Sequence, residues 1–245
     1  MKIICSDYDG TLNHGGITAK KLAAIRKWQE HGNCFAVVSG RGKDFFGELH
    51  EKGIPVDFLL SCNGGVIADR DNKIISEVTC RENIGKALVE FVFSLGCPFA
   101  IICGKKCFRI KNPDFPEEDG VTEYDEALLE DFDQISTGST DFQETARVTA
   151  LIKERFGHLI NPLQNGTCID IVPLGMDKAQ GIYLLMKHTG AEFEDIIAVG
   201  DNVNDEAMIK EFYSYAMANG VDYIKELADE ITVSIEELIE KELEK

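Results

Sequence analysis

Two aspartates, Asp7 and Asp9, flank Tyr8 just after the short run Ile3-Ile4-Cys5-Ser6 near the start of the 245-residue chain. Side chains two positions apart in an extended segment point the same way, so both carboxylates can face one pocket. Gly10 permits a tight turn after them, and Thr11 adds a hydroxyl. The Asp-x-Asp-Gly pattern loosely resembles a calcium loop, but that reading fails at its far end. Such a loop needs an acid at its twelfth position, and counting from Asp7 that position is Thr18. Other groups able to do chemistry are Ser39-Gly40-Arg41, Lys178, and the run Gly200-Asp201-Asn202-Val203-Asn204-Asp205.

The elements that must carry these groups are short buried-strand patterns alternating with helical ones. Lys2–Ser6 reads as a strand ending at Asp7, and Cys34–Val38 as a second ending at Ser39. Between them Thr18 can cap a helix with Leu22, Ile25 and Trp28 on one face, ending near Gly32. A third strand, Asp57–Leu60, runs into the turn Asn63-Gly64-Gly65. Much later, Ile196–Val199 leads to Asp201, and Tyr213–Met217 follows as a fifth strand. Strand, helix, strand in succession predicts an α/β fold with a parallel sheet covered on both faces. In a sheet ordered 3-2-1-4-5, ligands bind beyond the carboxyl ends where the strand order reverses. Asp7, Asp9, Ser39 and Asp201 then converge there from distant parts of the chain.

The middle of the chain has a different rhythm. Glu82–Leu95 reads as a helix, then Phe99–Cys103 with Cys107–Lys111 as a hairpin. A short strand near Ile135–Thr137, a helix over Phe142–Phe156, and a hairpin of Leu159–Leu163 with Cys168–Val172 follow. Hairpins beside helices predict an α+β domain at 82–173 inserted into a first domain of 1–81 and 174–245.

With these pieces in place the sequence resembles the haloacid dehalogenase superfamily, and within it the Cof-type phosphatases with a type IIB cap. The matching segments are Asp7-Tyr8-Asp9-Gly10-Thr11, Ser39-Gly40-Arg41, Cys62-Asn63-Gly64-Gly65, Ile169-Asp170-Ile171-Val172-Pro173, Lys178 and Gly200 through Asp205. Only 27 residues separate Thr11 from Ser39, which leaves no space for a cap there and matches an insertion after Arg41. The resemblance implies a Rossmann-like core, with Asp7 as nucleophile forming an aspartyl-phosphate and Asp9 as the acid and base. It implies Mg2+ held by Asp7, the backbone carbonyl of Asp9 and Asp201, with Asp205 in support. Lys178, Thr11, Ser39, Gly40 and Asn204 would hold the phosphate, and Arg41 and Asp170 would meet the rest of the substrate. Two segments depart from the family pattern: Ala218-Asn219-Gly220 replaces a common Gly-Asn-Ala, and Ile231-Thr232-Val233 runs straight into an acidic helix, Ile235–Lys245.

Composition narrows the partners. The net charge is −18, and twelve acids with no Lys or Arg lie between Asn112 and Ala146. Such a surface repels nucleic acid and anionic lipid. Without a membrane-length apolar run, and with acids following only three apolar residues at the start, the chain reads as cytoplasmic. Eight cysteines show no Cys-x-x-Cys pair and several sit in strand-like runs, the pattern of reduced core thiols. The expected substrate is a small phosphomonoester such as a sugar phosphate. A phosphomutase of the phosphomannomutase type is the alternative, because it too uses the paired aspartates. A non-catalytic phospholigand sensor would have lost one of the acids, and all are present. A dinucleotide binder lacks support, since neither G-x-G-x-x-G nor a Walker A sequence occurs. Oligomeric state is left open by these residues.

Overall fold

The computed structural model of the protein describes residues 1–245. It divides into two compact units, Met1–Ser76 with Lys178–Lys245, and Glu77–Asp177.

The first unit opens with β1 (Ile3–Asp7), α1 (Ala19–Glu30), β2 (Cys34–Val38), α2 (Phe45–Glu51) and β3 (Phe58–Ser61). Next come β4 (Val66–Asp69) and β5 (Ile74–Glu77). The second unit contributes α3 (Gly85–Ser94), β6 (Phe99–Gly104), β7 (Cys107–Lys111), β8 (Phe132–Gly138), α4 (Phe142–Phe156), β9 (Ile160–Asn165) and β10 (Cys168–Pro173). The chain then returns through α5 (Lys178–Thr189), β11 (Ile196–Gly200), α6 (Glu206–Glu211), β12 (Tyr213–Met217), α7 (Asp222–Leu227), β13 (Glu230–Thr232) and α8 (Ile235–Glu244).

The sheet of the first unit has the order β13-β12-β11-β1-β2-β3-β4-β5. The expected order 3-2-1-4-5 lies inside it as β3-β2-β1-β11-β12, and every pair in that stretch is parallel. Three further strands extend the edges: β13 joins parallel to β12, and β4 returns antiparallel to β3. Alternation sorts each strand between two layers. Ile4, Phe35, Val37 and Val199 face a core with α1, α2 and α8, while Ile3, Cys5, Ala36 and Ala198 face another with α5, α6 and α7. Burial on both faces explains why these strands are apolar throughout rather than alternating. Each such Ile or Val side chain contributes about 1.5–3 kcal/mol.

Thr18 caps α1 as expected, accepting from the Lys21 amide at 3.1 Å. The buried side of that helix differs from the expected face. Lys21 lies beside Ile25 and Trp28 in the interior, and Leu22 is only partly buried.

The second unit carries a five-stranded antiparallel sheet of order β7-β6-β8-β10-β9. Its core joins Leu88, Val89 and Val92 of α3 and Val148 and Ile152 of α4 to Ala100, Ile102, Ile135, Ile169 and Ile171 of the sheet. Both helices therefore lie on one face. The division falls outside the expected limits of 82–173 on both sides. Cys80 pairs with Phe132, and the Asn161 side chain bonds the Met176 carbonyl, so these flanking segments belong to the second unit. All eight cysteines are thiols, and five of them are buried. No helix is long and apolar enough to cross a membrane.

Candidate active site

Parallel strands with matched register bring the polar groups to one edge of the first sheet. Asp7, the last residue of β1, lies opposite Val38 of β2, so Ser39 follows one step beyond it. On the other side Ser6 lies opposite Val199, which brings the turn after Gly200 alongside.

Lys178 opens α5 and is wholly buried. Its Nζ donates to Asp7 Oδ1 at 2.6 Å and to Asp205 Oδ1 at 2.5 Å. A buried ammonium without partners is strongly unfavourable, and this one has two carboxylates. Burial pulls the Lys178 pKa down, but Asp205 and Asp7 outweigh it and hold the group above the usual lysine range. Asp7 is raised by burial, which the pull of Lys178 offsets only in part and the charges of Asp205 and Asp201 reinforce. Burial likewise raises Asp201, against a hydrogen bond from Thr11. Carboxylate oxygens of Asp7, Asp201 and Asp205 all lie within 4.8 Å of one another. Three acids around one ammonium leave an excess of negative charge, and the donors are all oxygen. That set fits a hard divalent cation such as Mg2+ or Ca2+, not the N and S ligands typical of zinc.

The remaining expected groups divide. Asp205 Oδ2 accepts the backbone amides of Asp201 at 2.9 Å and Asn202 at 3.1 Å. It therefore braces the loop that presents Asp201. The Thr11 hydroxyl donates to Asp201 Oδ1 at 2.6 Å; it orients an acid in this structure. Ser39 is buried, and its Oγ accepts the Arg41 amide at 3.2 Å. Gly40 follows it in the same loop, and Asn204 sits half-buried in the turn Val203–Asp205.

Asp9 does not share the interior of the cluster. Its side chain is 55% exposed, and its two oxygens accept Nε and Nη2 of Arg41, each at 2.8 Å. The guanidinium lies over the rings of Phe45 at 4.7 Å and Tyr8 at 5.1 Å, and Nη1 reaches Glu48 at 2.6 Å. In the second unit, Asp170 is buried and accepts the Ser136 hydroxyl at 2.7 Å and Gln134 Nε2 at 3.3 Å.

Two side chains at the site escaped sequence reasoning. Glu48 lies on α2, an element too short and too interrupted by Gly47 to announce itself. Asn219 Nδ2 donates to the Gly10 carbonyl at 2.9 Å. Its signal in the sequence is the segment Ala218-Asn219-Gly220, which stands where the family pattern has Gly-Asn-Ala.

Residues 4–238 match the family described as haloacid dehalogenase-like hydrolase. The chain is 28% identical over 235 residues to the 5-amino-6-(5-phospho-D-ribitylamino)uracil phosphatase YcsE of Bacillus subtilis, covering 95% of this chain and 90% of that protein. Among solved structures, a haloacid dehalogenase-like hydrolase from Bacteroides thetaiotaomicron superposes with a TM-score of 0.75 at 23% identity, covering 98% of each chain. The HAD subclass IIB sugar phosphatase BT4131 gives 0.78 at 18% identity, again over 98% of each chain.

Proposed function

The chain belongs to the haloacid dehalogenase-like hydrolases, and from that premise we propose that it is a Cof-type, magnesium-dependent phosphatase. Its substrates are small phosphomonoesters, sugar phosphates or similar metabolites, and Asp7 carries the phosphoryl group between the two half-reactions. The observation that supports this most directly is the placement of Asp7 against Lys178, with Asp201 and Asp205 completing the acid cluster.

Phosphoryl transfer depends on positioning and on neutralising charge. Asp7, Asp201 and the backbone at Asp9 would hold the cation, with Asp205 bracing them. When bound, the cation supplies the positive charge that lets a carboxylate and a phosphate approach each other. Asp7 attacks phosphorus, the ester oxygen leaves with a proton from Asp9, and an aspartyl-phosphate remains. Asp9 then takes a proton from water as the water attacks that phosphorus, and Asp7 is regenerated. Lys178, Ser39, the Gly40 amide and Asn204 hold phosphate oxygens. Asp9 must leave its pairing with Arg41 to exchange protons, which frees the guanidinium for the anionic or hydroxylated substrate.

The test is phosphate release by the purified protein from hexose phosphates, pentose phosphates and 5-amino-6-(5-phospho-D-ribitylamino)uracil. Release that stops on chelation, returns with Mg2+ and is absent from a folded Asp7→Asn variant is the expected result. Isomerised sugar phosphate without free phosphate would point to the mutase instead. Full turnover by Asp7→Asn would sink the mechanism.

A further inference from the structure

Lys21 sits where a helix of this pattern should bury an apolar residue. Its side chain enters the interior of the first unit and is 4% exposed. There Nζ donates to three main-chain carbonyls: Leu12 at 2.7 Å, His14 at 2.9 Å and Gly16 at 2.9 Å. An ammonium has three protons to donate, and all three are used. The carbonyls come from the turn that leaves the Asp7–Thr11 loop. That turn is closed by Asn13 N to Tyr8 O at 2.8 Å, His14 N to Thr11 O at 3.2 Å and Gly16 N to Asn13 O at 2.9 Å. Glu236, in the first turn of α8, is 7% exposed and has one buried oxygen with no hydrogen-bond partner. Its negative charge acts on the Lys21 ammonium against the effect of burial. Three carbonyl oxygens with a carboxylate nearby form the kind of oxygen cage that holds a monovalent cation.

We propose that Lys21 is a positioning residue for the reaction, its ammonium acting as a tethered monovalent cation that fixes the turn after Thr11 and thereby the Thr11–Asp201 contact. Leu12 is fully buried and directly follows Thr11, so its carbonyl has no solvent to turn to if the ammonium is lost. Its escape is a backbone rotation that carries Thr11 with it. Since the Thr11 hydroxyl is bonded to Asp201 at 2.6 Å, the displacement reaches an acid of the cation cluster. Lys21 touches none of the reacting atoms. The inference rests on Asp201 being a cation ligand, as proposed above.

The experiment compares the wild type with Lys21→Ala, Lys21→Met and Thr11→Val. Mg2+ dependence is read in two ways: the rise in Tm on adding Mg2+ without substrate, and the Mg2+ concentration giving half-maximal phosphate release. Loss of a buried hydrogen-bond partner should raise the Mg2+ requirement of Lys21→Ala by about tenfold, with the KM for the phosphate ester little changed. Thr11→Val should show the same shift, and the double variant should shift no further. n-Propylammonium replaces the atoms that Lys21→Ala deletes, so it should restore the Mg2+ requirement where tetramethylammonium at equal ionic strength does not. Lys21→Met keeps the stem without the charge and should resist that rescue. An unchanged Mg2+ requirement in a folded Lys21→Ala, or equal effects of the two ammonium ions, overturns the proposal. Failure of both Lys21 variants to fold overturns it too, by assigning Lys21 to stability alone. A wild type indifferent to Mg2+ would instead refute the assignment of Asp201.

Discussion

At the scale of single residues, the acids of the cluster carry a pH dependence with a definite sign. Burial raises both Asp7 and Asp201 above the ordinary carboxylate value near ~4. An acid whose folded pKa lies above its unfolded pKa stabilises the fold below the unfolded value, and that contribution is lost as pH rises through the folded value. A cation held by these acids would reverse this by binding the ionised form, so protons and Mg2+ would compete. The apparent Mg2+ affinity should therefore climb as pH rises through the raised carboxylate range, and the Mg2+-induced increase in Tm should grow with it. Differential scanning fluorimetry across a pH series, with and without Mg2+, checks this. A Mg2+ effect that shrank as pH rose would contradict the assignment. Lys178 does not enter that window, because its two carboxylates hold it above the usual lysine range.

At the scale of elements, the turn after β1 makes a sharper demand than its residue types suggest. Gly10 has φ +86°, and a Cβ there would lie 2.3 Å from Asp201 Oδ2. Gly32, just after α1, has φ +78° with nothing within 4 Å of its would-be Cβ. The pair separates backbone strain from collision. Gly32→Ala should lower stability by about 1–2 kcal/mol and spare turnover. Gly10→Ala should add a displacement of Asp201 and cost on the order of 10²-fold in kcat. Thermal unfolding and phosphate release, measured on both variants, test the distinction. Elements whose patterns no Gly or Pro interrupts were legible from sequence: Cys34–Val38, Cys107–Lys111, Phe142–Phe156 and Tyr213–Met217 have the same limits in the structure. β4 and β5 went unread because each has four residues and the second is half-exposed along its length. The strand ends that gather Asp7, Ser39 and Asp201 followed from topology, whereas the role of Lys178, on a helix, came only with the family resemblance. The pairing of Asp9 with Arg41 and the turn of Thr11 towards Asp201 did not, because side-chain partners are chosen by tertiary placement and not by spacing.

At the scale of the whole molecule, charge separates small substrates from large ones. With −18 overall, the protein offers a polyanion no long-range attraction. A single phosphate escapes most of that field, since distant charges are screened beyond about 8–10 Å. A sugar phosphate should therefore exceed a 5′-phosphorylated oligonucleotide by at least about tenfold in kcat/KM at low salt. Raising ionic strength should narrow that gap by helping the oligonucleotide while leaving the sugar phosphate nearly unchanged. Rates over a salt series measure both, and an oligonucleotide that wins at low salt refutes the argument. Equal salt responses would do so as well.

The position of β1 between β2 and β11 also sets a timetable for synthesis. β2 leaves the ribosome soon after β1, but β11 begins roughly 190 residues later. At about 5–20 residues per second, the interval is about 10–40 s. Throughout it, one edge of β1 offers unpaired amides and carbonyls beside Asp7, and for most of it Lys178 has not yet been made. The second unit is contiguous and can complete its own sheet within that interval. The nascent first unit is thus an open-edged half-sheet, inactive and prone to pairing with other strands, until the returning segment closes it.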